Sequence, residues 1–228
     1  MSSPFRDIPV SFLSEDKIAR IANEWRSLHE MTFGDDFCVV EFLIHTFMSN
    51  RTAALSIDTF DRDGTEQPPA HVSFKPDVIN VDRSIWRRAD MREGYPQFIV
   101  AHEIGHILLH SDIPKGYSKD SNSQIKYFEN EHSAEWQANK FAEHLILPKS
   151  VVERYSNIGE LIKFTGAWEA VAKTRFADVF RPKLVNIDAD HVDSACEICG
   201  NLSFSRRGLI LKCKTCKQER SLFVFGKF

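Results

Sequence analysis

Residues 98–110 read FIVAHEIGHILLH, an apolar run that carries three histidines and a glutamate. Its apolar residues and its length make it a helix that belongs in a core. A core does not take such polar groups without partners: each costs several kcal/mol when buried unpaired, and a lone charge costs more. These residues therefore need either solvent or a compensating group in the interior.

His102 and His106 are four residues apart, so on a helix both imidazoles project from one face, separated by about 6 Å of rise. That spacing suits two ligands of one tetrahedral zinc ion, each at about 2.0–2.1 Å. Glu103, one residue round the helix from His102, can reach a water on that ion. A carboxylate base beside zinc-activated water is the chemistry of peptide-bond hydrolysis, so HExxH on a helix is a mechanism expressed as spacing. Gly105 lets another element approach closely beside the second ligand.

A catalytic zinc needs a third protein ligand. His110 lies four residues beyond His106, but His102 to His110 spans about 12 Å of helix, too far for one ion. It reads as a neighbour of the site or a helix-end residue. The longer HExxHxxGxxH pattern fails, because Leu109 stands at its glycine and Asp112 at its last histidine. The better source is NEHSAEWQANKFAEHLI (130–146), helical by period with Pro148 just beyond its end. Glu135 and Asn139 share a face there, and Ala138 and Ala142 leave room for close helix packing. Glu135 as ligand and Asn139 bonded to a ligating imidazole would complete a site. Glu131 and His132, one turn earlier, compete for the same role.

FIVAHEIGHILLH followed by EWQANKFAEHLILP resembles the ImmA/IrrE family of zinc metallopeptidases, which are gluzincin-like. That family pairs an AHELGHLLLH-like helix with an ExxANxFAxxLLxP-like helix, and the resemblance extends to about residue 180. It implies a zincin-like fold, zinc ligands at His102, His106 and Glu135, and a catalytic base at Glu103. It further implies a helix-turn-helix repressor or antitoxin as substrate, inactivated under stress or during induction of mobile elements. A C-terminal four-cysteine module is not part of the common family pattern.

That module is CEIC (196–199) and CKTC (213–216), two CxxC pairs separated by 13 residues, close to zinc-ribbon spacing. Cys196, Cys199, Cys213 and Cys216 would hold a second, structural zinc, with Gly200 permitting the turn behind the first pair. The intervening LSFSRRGLILKC reads as a hairpin turning near Arg207 and Gly208, and SLFVF (221–225) as a third strand. So short a segment cannot build much core, so the metal supplies the fold. Residues 181–228 hold nine Lys/Arg against five Asp/Glu, a balance of +4, leaving −7 of the chain's −3 to the first 180 residues. Four thiolates and one Zn²⁺ reduce the module's balance to about +2. Protein docking or structural support is therefore favoured over nucleic-acid contact, despite the clustering of Arg206, Arg207, Lys212, Lys214, Lys217 and Arg220.

Elsewhere the chain offers helices over 14–30, with Ser14 as N-cap and Ile18, Ile21, Ala22, Trp25 and Leu28 inward, and over 35–47. Short strands are expected over 53–60, 71–74 and 77–81, the last as an edge around 78–81 open to a substrate main chain. Residues 111–124 read as an exposed, mobile loop, and Tyr117 and Tyr127, in or beside it, are candidates for oxyanion stabilisation. Stretches 158–164 and 168–180 are helices joined at Thr165 and Gly166; packing on the first domain is favoured over a helix-turn-helix. Cys38, His45 and the four tryptophans read as packing residues.

The expected architecture is α+β, a peptidase-like domain over 1–182 and a zinc ribbon over 183–228, with the composition shift falling near 181–190. With 43% apolar and 27% charged residues the composition is that of a globular protein. No apolar run approaches the ~18 residues of a membrane span. The start MSSPFRDIPVSF lacks a basic region leading into an apolar one, so a cytoplasmic location without membrane contact is expected. The function expected is a zinc endopeptidase with few substrates. The alternative is a non-catalytic, zinc-stabilised regulator that binds a repressor or DNA, against which an intact Glu103 argues.

Overall fold

The computed structural model describes residues 7–34, 36–64, 67–111, 130–180, 198–199, 204–207, 210–213 and 215–221. Helix α1, Glu15–Phe33, starts where Ser14 accepts from the Lys17 amide, and Glu15 and Asp16 in its first turn complement the helix dipole. Its buried stripe is Ile18, Ala22, Arg26 and His29. The two polar members were not foreseen among the inward positions. Arg26 is compensated by Glu30 Oε1 at 2.7 Å, the Leu145 carbonyl at 3.2 Å and the Phe37 ring 3.9 Å below its guanidinium. The helix expected over 35–47 begins only at Val39, because Cys38 is extended and the Val39 amide is taken by Gln97 Oε1 at 3.1 Å. After α2, Val39–Glu41, it winds as a π-helix over Phe42–Phe47, which turns Phe42, Leu43, Thr46 and Phe47 all inward.

Strands β1 (Leu55–Phe60), β2 (Ala70–Ser73) and β3 (Asp77–Asp82) form one sheet in the order β1-β3-β2. β1 runs parallel to β3 from Leu55↔Asp77 to Phe60↔Asp82, and β2 runs antiparallel to it from Ala70↔Val81 to Ser73↔Val78. The expected edge around 78–81 is therefore overturned. β3 is the central strand, both its ladders are taken, and its Ile79 and Val81 are buried. Among the described residues the free edges belong to β1 and β2.

Asp82 ends β3 and caps α3, Arg83–Asp90, accepting from the Ser84 and Ile85 amides. Helix α4, Gly94–His110, follows with Pro96 in its first turn. Its Ile99, Val100, Ala101, Ile104 and Ile107 sit in the core, and it packs against β2, β3, α3 and α5. Gly94 is required at its start, since a Cβ there would meet the Trp168 nitrogen at 2.4 Å.

The second site helix is shorter than expected. A 3-10 turn, Asn130–His132, precedes Ser133, which caps α5, Ala134–Ile146, by accepting from the Trp136 amide at 2.9 Å. α6 (Lys149–Val152), α7 (Ile158–Thr165) and α8 (Glu169–Phe180) follow. Leu161, Val171 and Ala172 bury into the core, so α7 and α8 are packing helices.

The chain divides into two compact units, Met1–Val179 and Phe180–Phe228. The first is a zincin-like α+β domain, a small sheet with helices around it. In the second, β4 (Phe204–Arg207), β5 (Ile210–Cys213) and β6 (Glu219–Ser221) form an antiparallel sheet in that order. The pairing Arg207↔Ile210 closes the expected hairpin. The third strand lies at 219–221, earlier than SLFVF, most of which falls outside the described residues.

Candidate functional site

Gly105 sets the approach of the two site helices. A Cβ there would lie 3.1 Å from Ala138 Cα and 3.2 Å from both the Ala138 carbonyl oxygen and the Phe141 ring, so α4 and α5 touch almost backbone to backbone. At that separation the face of α4 bearing His102 and His106 meets the face of α5 bearing Glu135 and Asn139. His102 Nε2 and His106 Nε2 are 2.9 Å apart. Glu135 Oε2 lies 3.3 Å from the former and its Oε1 3.4 Å from the latter.

The outer nitrogens of both rings are engaged elsewhere. Asn139 Oδ1 accepts from His102 Nδ1 at 2.8 Å, and His106 Nδ1 faces His110 Nδ1 at 3.1 Å. With Nδ1 protonated, a neutral imidazole turns a bare Nε2 inward. Lone-pair donors from His102, His106 and Glu135 then converge on one point, where only a cation satisfies them. Ligand atoms about 2.05 Å from a tetrahedral zinc stand about 3.3 Å apart, so the observed 2.9, 3.3 and 3.4 Å edges fit such an ion. Among the described residues His102, His106 and Glu135 form one of two groups able to hold a metal; the other is Cys199, Cys213 and Cys216.

The electrostatics agree with a site built for positive charge. The Glu135 carboxyl is held far below the ordinary range, first by hydrogen bonding with His102 and His106. Burial works against the His102 imidazolium, yet Glu135, Glu103 and Asn139 outweigh it and the net shift is upward. Glu103 is buried on the same helix; burial pushes its carboxyl up, opposed by the facing His102 and His106. Burial also drops His110 to about 4, leaving that ring neutral at pH 7. Glu135, with its side chain 46% exposed, is the open side of the site.

The competing candidates point elsewhere. His132 Nδ1 bonds the Val10 carbonyl at 3.1 Å and its ring packs edge-on to Phe12. Glu131 lends its backbone oxygen to Leu13 and to Gln137 Nε2. Tyr117 and Tyr127 lie outside the described residues, as does all but Ser111 of the loop expected over 111–124. His110 is a neighbour of the site: it is buried and joins His106 to Gln137.

Two contributors were missed in the sequence. Asp7, in the extended segment that pairs with the start of α5, accepts from Ser133 Oγ and from the Glu135 amide at 3.1 Å. Gln137 bonds His110 and two backbone carbonyls. No periodic pattern marks either residue, because each meets groups distant in sequence: Asp7 a hydroxyl and an amide at the start of α5, Gln137 two backbone carbonyls and His110. An aromatic group also extends the ligand-bearing face of α4: Phe98 lies beside His102, and Trp168 packs on Phe98 and Tyr95.

In the C-terminal unit Cys199 Sγ and Cys213 Sγ are 3.5 Å apart, with Cys216 close to both. The Cys216 amide, aided by that of Thr215, holds the Cys213 thiol down to about 6, where thiolate forms readily. The cluster is compatible with a small zinc module; Cys196 lies outside the described residues.

An α+β zincin-like domain whose HExxH helix meets a carboxylate from the next helix defines a metallopeptidase class. Residues 52–161 match the family model Peptidase_M78, described as IrrE N-terminal-like domain, and over this part the chain is similar to that family. The match spans β1 to the start of α7 and takes in every residue of the site on α4 and α5. No curated protein matches the chain. Among the described residues no helix is long and apolar enough to cross a membrane.

Proposed function

We propose that the chain is a zinc-dependent endopeptidase acting on few protein substrates, with His102, His106 and Glu135 as metal ligands and Glu103 as general base. The observation that supports this most is the convergence of His102 Nε2, His106 Nε2 and a Glu135 carboxylate, with both Nδ1 atoms engaged elsewhere. A zinc ion held there supplies Lewis acidity towards a peptide carbonyl and towards water. Glu103 would take the proton of the attacking water and pass it to the departing amine. Asn139 keeps the His102 ring oriented. β2, the edge strand packed against α4, is where an extended substrate segment would add by main-chain pairing.

The substrate we propose is a helix-turn-helix repressor or antitoxin, as the resemblance to the ImmA/IrrE family implies. The C-terminal unit, with a second zinc on Cys196, Cys199, Cys213 and Cys216, would recruit that partner and take no part in the chemistry. The test is Glu103→Gln, a near-isosteric change, in the full chain mixed with the candidate repressor. Zinc should stay bound while cleavage falls by about 10²–10⁴. Undiminished cleavage would overturn the mechanism. A wild-type chain that binds the repressor and leaves it uncut would instead be a non-catalytic regulator.

A further inference from the structure

We propose that His110 and Gln137 are positioning residues that fix the tautomer of His106, so that its Nε2 meets the metal centre without a proton. The inference rests on the metal-centre reading above and adds residues to it. Its starting point is Gln137, which is buried at 2% exposure. Its Nε2 donates to the Ser11 carbonyl at 2.9 Å and the Glu131 carbonyl at 2.6 Å. Two carbonyl acceptors on one amide nitrogen fix which way the amide points. Oε1 is thereby left as the acceptor that faces His110 Nε2 at 3.0 Å.

Every later polarity follows. His110 donates from Nε2, so its Nδ1 carries a lone pair, and that lone pair faces His106 Nδ1 at 3.1 Å. His106 must then donate from Nδ1, and its Nε2 is bare where it meets His102 Nε2 and Glu135. Reversing the chain would turn the Gln137 oxygen against two carbonyl oxygens at its present contacts. Two backbone carbonyls, one in the N-terminal segment and one in the turn before α5, thus set the proton position on a residue of α4. His102 reaches the same state by a different route, through Asn139. His110, too far along the helix to be a third ligand, acts through the second one.

The experiment uses the full chain with ¹⁵N-labelled histidine, read by long-range ¹H–¹⁵N correlation and assigned with single-histidine variants. Zinc-loaded protein should show His110 protonated at Nε2 and bare at Nδ1; His110 protonated at Nδ1 overturns the proposal. Chelator-buffered zinc is then titrated and followed through the His106 imidazole signals, which report this centre and not the cysteines. His110→Phe keeps the ring volume and loses the acceptor, while His110→Asn keeps an acceptor near Nδ1 and loses the volume. Zinc affinity should fall about 10–100-fold in His110→Phe and markedly less in His110→Asn. The reverse order would make His110 a space-filler and overturn the assignment. Should His110→Phe fail to fold, the tautomer measured in the unaltered chain still decides. A chain with the expected tautomers that cleaves nothing supports the positioning and ends the peptidase reading. Cleavage by a chain whose His110 is protonated at Nδ1 does the opposite.

Discussion

Removing the Glu135 carboxylate leaves two imidazoles to hold an ion that needs three protein groups. Glu135→Ala should therefore lose the metal of this centre, while Glu131→Ala and His132→Ala keep it; the metal content of the three purified variants, read through the His106 signals, checks this. A second prediction concerns His29, which is fully buried among Phe33, Phe37 and Phe42. Its Nδ1 meets Thr46 Oγ1 at 2.8 Å, and its Nε2 has no hydrogen-bond partner among the described residues. Burial, reinforced by the nearby Arg26 charge, lowers its pKa, so the folded chain binds the proton less readily than the unfolded one. Its contribution is fully present above the ordinary histidine pKa of about 6.5 and is lost as pH falls below that value towards the lowered one. Urea unfolding across pH 7 to 5 should lose up to about 1.4 kcal/mol per pH unit more in the wild type than in His29→Phe. Parallel curves would contradict this.

At the scale of elements, the closeness of α4 and α5 is what turns four side chains into a site, and Gly105 permits it. Gly105→Val should force the helices apart. Overpacking of this kind costs about 1–3 kcal/mol, so the melting temperature should drop, and zinc affinity should drop with it because Glu135 moves from the imidazoles. An unchanged affinity would show that the crossing is not what assembles the ligands. The same crossing explains what the sequence revealed. HExxH and ExxxN each repeat at four residues, so each face was legible by helical period alone, and Gly105 and Ala138 hinted that the faces meet. The sheet was legible as three short strands, but their order was not: strand length and alternation say nothing about which strand is central, and the edge assigned to 78–81 was wrong for that reason. Asp82 capping α3 and Asp7 holding the start of α5 were missed because each is a single side chain, Asp82 meeting two amides and Asp7 a hydroxyl and an amide, without any repeat to reveal it. The π-helix over Phe42–Phe47 escaped because its residues fit an α-helical reading equally well.

For the whole molecule, the two units differ in how they can be stable. The first has a continuous core running from Ile18 to Ala172, into which both site helices pack. The second is short, and a chain of that size rarely gains enough from its core without a metal or disulfides; its Cys199, Cys213 and Cys216 are grouped closely enough to hold one. In the proposed reading metal has two roles along one sequence: in the first unit it would complete a site that packing has already shaped, and in the second it would contribute to the fold itself. The central claim is the first of these, and anomalous diffraction at the zinc edge from crystals of the full chain tests it most directly. The account predicts an ion bonded to His102 Nε2, His106 Nε2 and the Glu135 carboxylate at about 2.0–2.2 Å, beside a second at the cysteines. An ion at the cysteines with none at the histidine pair, or one held by Glu131 or His132 in place of Glu135, would contradict it.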